Sequence, residues 1–230
     1  MIRKKIIITG TCLWVFTSYM PLTAQKIDRQ AARDSLKAAV EVLSYHPDSI
    51  NLRLRKASWN VELEQWEFAK EEYDYVLRND PRNLDALYYR AFVNQKLHRN
   101  GFARLDYENL LKYYPGSFEG QLGLALLNEK DNRRTEALDQ INETLNNFPD
   151  SAVAWAIRAG MEKKRKMYDV AEYDYAEAVR LDPHNQDYRL SLVDVQILMG
   201  KKDAARKELD ILVRQGLHKA ALKDWYDKCK

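Results

Sequence analysis

The segment Pro81–Pro115 reads PRNLDALYYRAFVNQKLHRNGFARLDYENLLKYYP, and most of the chain is a set of variations on it. Its two flanking prolines are 34 residues apart. Pro47, Pro149 and Pro183 continue the same spacing in both directions, which leaves Pro21 as the one proline of six outside the series. Two further series keep the step. One is Ala69, Ala103, Ala137, Ala171 and Ala205; the other is Ala57, Ala91, Ala125 and Ala159, with Val193 in the fifth place. Three independent series at one period mark an internal repeat, and a period of roughly 20–50 residues means stacked supersecondary units.

The composition says what those units are. Gly counts only 8 and Pro 6, too few for the turns of a many-stranded sheet, while charged residues make up 31% and alternate with apolar ones at helical spacing. Each proline marks the end of a helix, because it cannot continue one and biases the residue before it away from the α region. Asp80-Pro81 and Asp182-Pro183 add turn-forming side chains. The alanines mark where two helices of a hairpin cross closely. Larger apolar residues four positions after Ala69 and its equivalents (Tyr73, Tyr107, Ile141, Tyr175 and Leu209) fill the space between neighbouring hairpins. A single repeat cannot bury its apolar faces alone, so stability must come from stacking.

A 34-residue period with small residues at the eighth and twentieth positions and Pro at the thirty-second resembles the tetratricopeptide repeat. The repeats run 50–83, 84–117, 118–151, 152–185 and 186–219. The resemblance implies an all-α, right-handed superhelical solenoid of about five helix hairpins, with a leading half-repeat over 25–49 and a capping helix over 220–230. It also implies a non-catalytic scaffold that binds another protein or peptide. The pattern departs from the family in three places. The fourth position, often Trp, holds Trp155 only in the fourth repeat, beside Arg53, Leu87, Gln121 and Arg189. The eleventh, usually aromatic, holds Asn60, Asn94, Asn128, Glu162 and Gln196. The fifth repeat has Leu217 where Pro is expected, which points to a C-cap on Gly216.

Residues 1–24 read as a signal peptide: Arg3, Lys4 and Lys5, an apolar run over 6–20, then Leu22-Thr23-Ala24 before the cut. The run is short and polar-interrupted for a membrane span, so cleavage and retention as an anchor are the two fates it allows. Cleavage predicts an exported protein in the periplasm or at the envelope, without stable membrane insertion. Three of the 37 basic side chains lie in this segment, leaving 34 against 34 acidic ones, so the basic balance of the whole chain is no argument for nucleic acid. Cys229 is the one cysteine after residue 24, which excludes an internal disulfide there.

No catalytic or cofactor-binding signature is present: no phosphate loop, no nucleophile elbow, no HExxH, no Cys pairs. The histidines His46, His98, His184 and His218 fall near inter-helix turns without metal-ligand spacing. The expectation is therefore no enzyme, cofactor or metal.

A basic residue at the seventh position accompanies an acid at the twenty-third in three repeats: Lys56 with Glu72, Arg90 with Asp106, and Arg158 with Asp174. These predict ion pairs joining the two helices of a hairpin. The third repeat replaces both, with Leu124 and Gln140; the fifth, with Leu192 and Glu208, breaks the correlation.

The family's usual ligand surface is the groove lined by first-helix positions such as the fifth and ninth. Here these hold none of the Lys, Asn and Arg that clamp a terminal carboxylate elsewhere in the family. They form instead an apolar and aromatic patch of Tyr88, Phe92, Leu122 and Leu126, flanked by Leu54. Such a patch suits an amphipathic helix or extended apolar peptide; side chains packing on one another across adjacent first helices is the other reading. A self-associating structural subunit, with contacts on ends and outer faces, is the alternative to a peptide-binding scaffold. Leu222, Trp225, Tyr226 and Cys229 form one stripe suited to covering the end of the last hairpin.

Overall fold

A computed structural model describes residues 29–230, and among these every regular element is helical. The leader segment read at residues 1–24 lies outside the described residues. Helix α1 (Arg29–Tyr45) leads. Five hairpins follow: α2 (Ile50–Glu62) with α3 (Trp66–Asn79), α4 (Leu84–Lys96) with α5 (Asn100–Tyr113), α6 (Phe118–Lys130) with α7 (Arg134–Asn147), α8 (Ala152–Lys164) with α9 (Tyr168–Leu181), and α10 (Gln186–Leu198) with α11 (Lys202–Arg214). A 3₁₀ turn (Lys219–Leu222) and the short α12 (Lys223–Lys228) close the chain. Each helix packs on the next in sequence, and α4 also meets α2 and α6. The result is a solenoid, with four apolar clusters strung along it in place of one central core.

Both alanine series are fully buried, as is Val193 in the fifth place of one of them. The larger fillers Tyr73, Tyr107, Ile141, Tyr175 and Leu209 are buried as well. The third hairpin lies closely on the second. A Cβ built on Gly123 would lie 2.5 Å from Tyr107 Cε1, and one on Gly120 would lie 2.7 Å from Leu110 Cδ2. The two glycines let α6 lie directly on the α5 side chains.

Helix ends obey the same period by means the proline pattern did not reveal. Ser49, Asn83, Ser117, Ser151 and Asn185 each cap the first helix of a hairpin, their side chains accepting a backbone N–H two or three residues on. At the other end of those helices Glu64, His98, Asn132, Lys166 and Gly200 all have φ between 58° and 74°. There the next residue's N–H reaches back to the eleventh-position carbonyl, as Gln65 N does to Asn60 O at 2.8 Å and Arg133 N to Asn128 O at 2.8 Å. Gly216, φ 102°, ends α11, and Leu217 N donates to Leu212 O at 3.1 Å.

The variable fourth position has one job in four repeats. Arg53 Nε, Gln121 Nε2, Trp155 Nε1 and Arg189 Nη2 donate to the carbonyls of Pro47, Pro115, Pro149 and Pro183 at 3.0, 2.8, 2.8 and 3.2 Å. A side-chain N–H within reach of that carbonyl is what these four residues share, and Trp is one of several able to supply it. Leu87 cannot donate and is buried as core instead.

The C-terminus differs from the single capping helix expected over 220–230. The 3₁₀ turn and α12 meet at Leu222, and both Leu222 and Cys229 lie inward in one cluster with Leu209 and Leu212. Trp225 and Tyr226 are half-buried over the same cluster.

Candidate interaction groove

The candidate groove residues lie on the first helices of successive hairpins. On α2, α4 and α6 the residues Leu54, Tyr88, Phe92, Leu122 and Leu126 are each half-buried. Their inner surfaces lean on two different clusters: Leu54, Tyr88 and Phe92 on the one under α2–α6, Leu122 and Leu126 on the one under α6–α8. Tyr88 stands edge-on to Tyr89, ring centroids 5.1 Å apart, and tilts against the buried Tyr107 at 6.2 Å. Phe92 meets the Trp66 ring edge-on at 6.1 Å, and Lys96 Nζ lies 5.2 Å from the Phe92 centroid and 5.7 Å from that of Trp66. The aromatic side chains are thus held by their neighbours before any partner arrives. On α8 the matching positions hold Ala156 and Gly160, so the lining becomes small. On α10 they hold Leu190 and Asp194, the latter ion-paired with Lys163.

Behind the groove lie the hairpin ion pairs. Lys56 Nζ is 2.6 Å from Glu72 Oε1. Arg90 grips the buried Asp106 with two parallel bonds, Nε to Oδ2 at 3.0 Å and Nη2 to Oδ1 at 2.6 Å. Arg158 holds Asp174 the same way, at 2.6 and 2.9 Å. Burial pushes the Asp106 carboxyl up from its ordinary value, and the Arg90 fork opposes that. The third free guanidinium nitrogen of each arginine crosses to the preceding hairpin: Arg90 Nη1 to Asp74 Oδ1 at 2.8 Å, Arg158 Nη1 to Asn142 Oδ1 at 2.9 Å. Each arginine therefore ties two hairpins as well as two helices.

Sequence spacing did not identify the cation for Glu208. It is Arg189 at the fourth position; Arg53, also at the fourth, joins Lys56 on Glu72 at 2.9 Å. The side chain that donates to the proline carbonyl thus also reaches the twenty-third-position acid, which explains why Leu192 can replace the usual base. Nor was the buried polar row at the eleventh position recognised, because those residues read as departures from an aromatic. Asn94 donates to Asp106 at 3.2 Å, Asn128 accepts from Arg104, and Gln196 donates to Glu172 at 3.3 Å. Their common spacing was the available signal.

All four histidines are exposed. Among the described residues no group of His, Cys, Asp and Glu is placed to hold a metal ion, and no helix is long and apolar enough to cross a membrane.

Two stretches match family models described as tetratricopeptide repeat, residues 96–160 and 164–223, together more than half of the chain. No curated protein sequence matches it. The fold is similar to that of a tetratricopeptide repeat protein from Parabacteroides merdae ATCC 43184, with a TM-score of 0.67 and 19% identity over 87% of this chain and 78% of that one. It is similar to PilW, a type IV pilus biogenesis factor, at TM-score 0.70 and 18% identity over 80% of this chain and 85% of that one. YrrB, a repeat protein whose structure is described as having an unusual peptide-binding site, gives 0.56 and 16% over 79% and 93%. Identities this low establish the shared fold and leave specificity to the residues of this chain.

Proposed function

Because this chain belongs to the tetratricopeptide-repeat family, we propose that it is a non-catalytic scaffold that holds an apolar peptide or amphipathic helix of another protein against α4 and α6. The observation that carries this reading is the row Tyr88, Phe92, Leu122 and Leu126, half-exposed yet braced from behind. An occupant would meet preset aromatic edges and lose little conformational freedom in the groove wall. Leu54 extends the row by one repeat. A peptide-binding repeat protein and a pilus biogenesis factor among the structural neighbours are consistent with a scaffold in the bacterial envelope. The basic and then apolar leader supports export to the periplasm. The Lys56–Glu72, Arg90–Asp106 and Arg158–Asp174 pairs face the inside of the hairpins; their role is to lock helices together, away from the partner.

Affinity capture of the exported protein with its native partners tests the reading. The double variant Tyr88→Ala/Phe92→Ala should lose the partner while circular dichroism shows unchanged helix content. A partner retained by the folded double variant rejects the groove; a variant that unfolds assigns the two rings to packing.

A second reading has its own observation. On the second helices Phe68 and Phe102 are 60% and 63% exposed at equivalent positions of adjacent repeats, with Leu105 beside them. This outer-face patch would serve self-association in a larger envelope assembly. Sedimentation at several concentrations separates the two, since Phe68→Ser/Phe102→Ser should dissolve any oligomer built on that face and leave groove binding intact.

A further inference from the structure

The second and fourth repeats contain polar sets of equal formal charge, arranged differently. In the second, Arg90 faces the buried Asp106 and, on the preceding hairpin, the part-exposed Asp74; the buried eleventh-position residue is the neutral Asn94, donating to Asp106. In the fourth, Arg158 faces the buried Asp174 and, on the preceding hairpin, Asn142; the eleventh-position residue is Glu162. Acid and amide have exchanged places, so the second carboxylate now sits inside the hairpin.

Glu162 is 5% exposed and Asp174 fully buried. Arg158 Nε is 2.6 Å from Asp174 Oδ2 and 3.9 Å from Glu162 Oε1, and Glu162 Oε2 has no hydrogen-bond partner. The other charges nearby are committed elsewhere. Arg165, after α8, binds Glu129 of α6 at 2.8 Å and the Arg134 carbonyl of α7 at 3.1 Å. Lys163 pairs with Asp194 of α10. From α7 comes the neutral Asn142, and from α9 come Asp174 itself and Tyr173, which acts on Arg158. Arg158 is the one guanidinium within ion-pair distance of both buried carboxylates, and like charges in one dry site cannot both ionise freely.

We propose that Glu162 carries a proton in the folded protein, held inside the hairpin beside Asp174, and that losing it loosens the α8–α9 hairpin, so that the fourth repeat responds to pH. A protonated Glu162 is the chemical equivalent of Asn94: an eleventh-position donor aimed at the twenty-third-position acid. Burial first, and then the charge of Asp174, raises the Glu162 carboxyl from 4.5 to about 7, against the pull of Arg158 and, more weakly, Arg165. Between those values the folded chain keeps a proton that the unfolded chain has released. The site's contribution to stability is therefore complete below the lower value and is lost as pH rises through the upper one. Helix α8 also carries Ala156 and Gly160 of the groove, so the loosened hairpin adjoins the binding surface.

Thermal unfolding of the full chain and of Glu162→Gln between pH 5 and 9 tests this. Glutamine fits the position, since Gln196 is buried at the equivalent place in the fifth repeat. The wild type should lose about 5 °C or more relative to the variant across the interval, a size typical of a few pK units of linkage in a chain of this length. A difference between the two proteins that stays constant with pH overturns the proposal. Carboxyl carbon NMR of the wild type decides independently of any variant: a Glu162 midpoint near neutrality supports the buried proton on Glu162, and one at the ordinary glutamate value overturns it. In Asp174→Asn the midpoint should move down.

Discussion

At the end of each first helix the backbone enters the left-handed region, and in four repeats the residue there is not glycine. Glu64, His98, Asn132 and Lys166 adopt φ near 60°, where only Gly200 does so without a steric conflict at Cβ. Lys166→Gly should therefore raise stability by about 0.5–1 kcal/mol, the relieved strain being partly offset by the greater freedom of glycine in the unfolded chain. A urea titration of both proteins measures it, with an unchanged slope expected. The buried ion pair behaves in the opposite sense. Asp106 is 2% exposed and depends on the Arg90 fork, so Arg90→Ala should cost roughly 3–5 kcal/mol by leaving an uncompensated buried carboxylate. Adding Asp106→Asn to that variant should recover part of the loss. Full additivity of the two substitutions would show that the pair is not coupled.

At the scale of helices, the spacing between hairpins is set by what fills the angle between them. The α5–α6 junction shows this best, because the Tyr107 ring occupies the space of the missing Gly123 side chain while its hydroxyl accepts from Gln95 Nε2 at 2.9 Å. Gly123→Ala should destabilise by about 1–3 kcal/mol through overpacking, even though alanine is the better helix former. Gly101→Ala provides the control: nothing lies within 4 Å of the added carbon, so only the gain in propensity should appear. If both variants gain stability, the close approach of α6 to α5 does not limit the packing.

Across the whole molecule, stability is a chain of neighbour contacts, and the two ends have one neighbour fewer. The closing segment compensates at the C-terminus. Leu222 and Cys229 are each 2% exposed, and Arg206 Nη2 donates to the Cys229 carbonyl at 2.8 Å. A maleimide should therefore label Cys229 slowly in the native protein. In rising denaturant its labelling should accelerate before the global midpoint, when the last hairpin opens alone. Acceleration only at the global midpoint would show that the array unfolds as one unit. Rapid labelling in native buffer would show that the closing segment is not docked.

The sequence alone determined the architecture. Prolines and alanines in step over 34 residues state where helices end and where their axes must come close, and both constraints are local to a repeat. It also placed Tyr88, Phe92, Leu122 and Leu126 at equivalent first-helix positions, because those positions follow from the repeat register. Tertiary structure decided which side chains share an ion-pair partner or a carbonyl. Arg53, Gln121, Trp155 and Arg189 look unrelated as letters, yet all donate to the preceding proline carbonyl. The partner of Glu208 and the crowding of Glu162 against Asp174 depend on distances across a hairpin. Periodicity reports which residues occupy equivalent places; hydrogen bonding and burial depend on how far each side chain reaches and what dielectric it enters, and only the packed helices fix those.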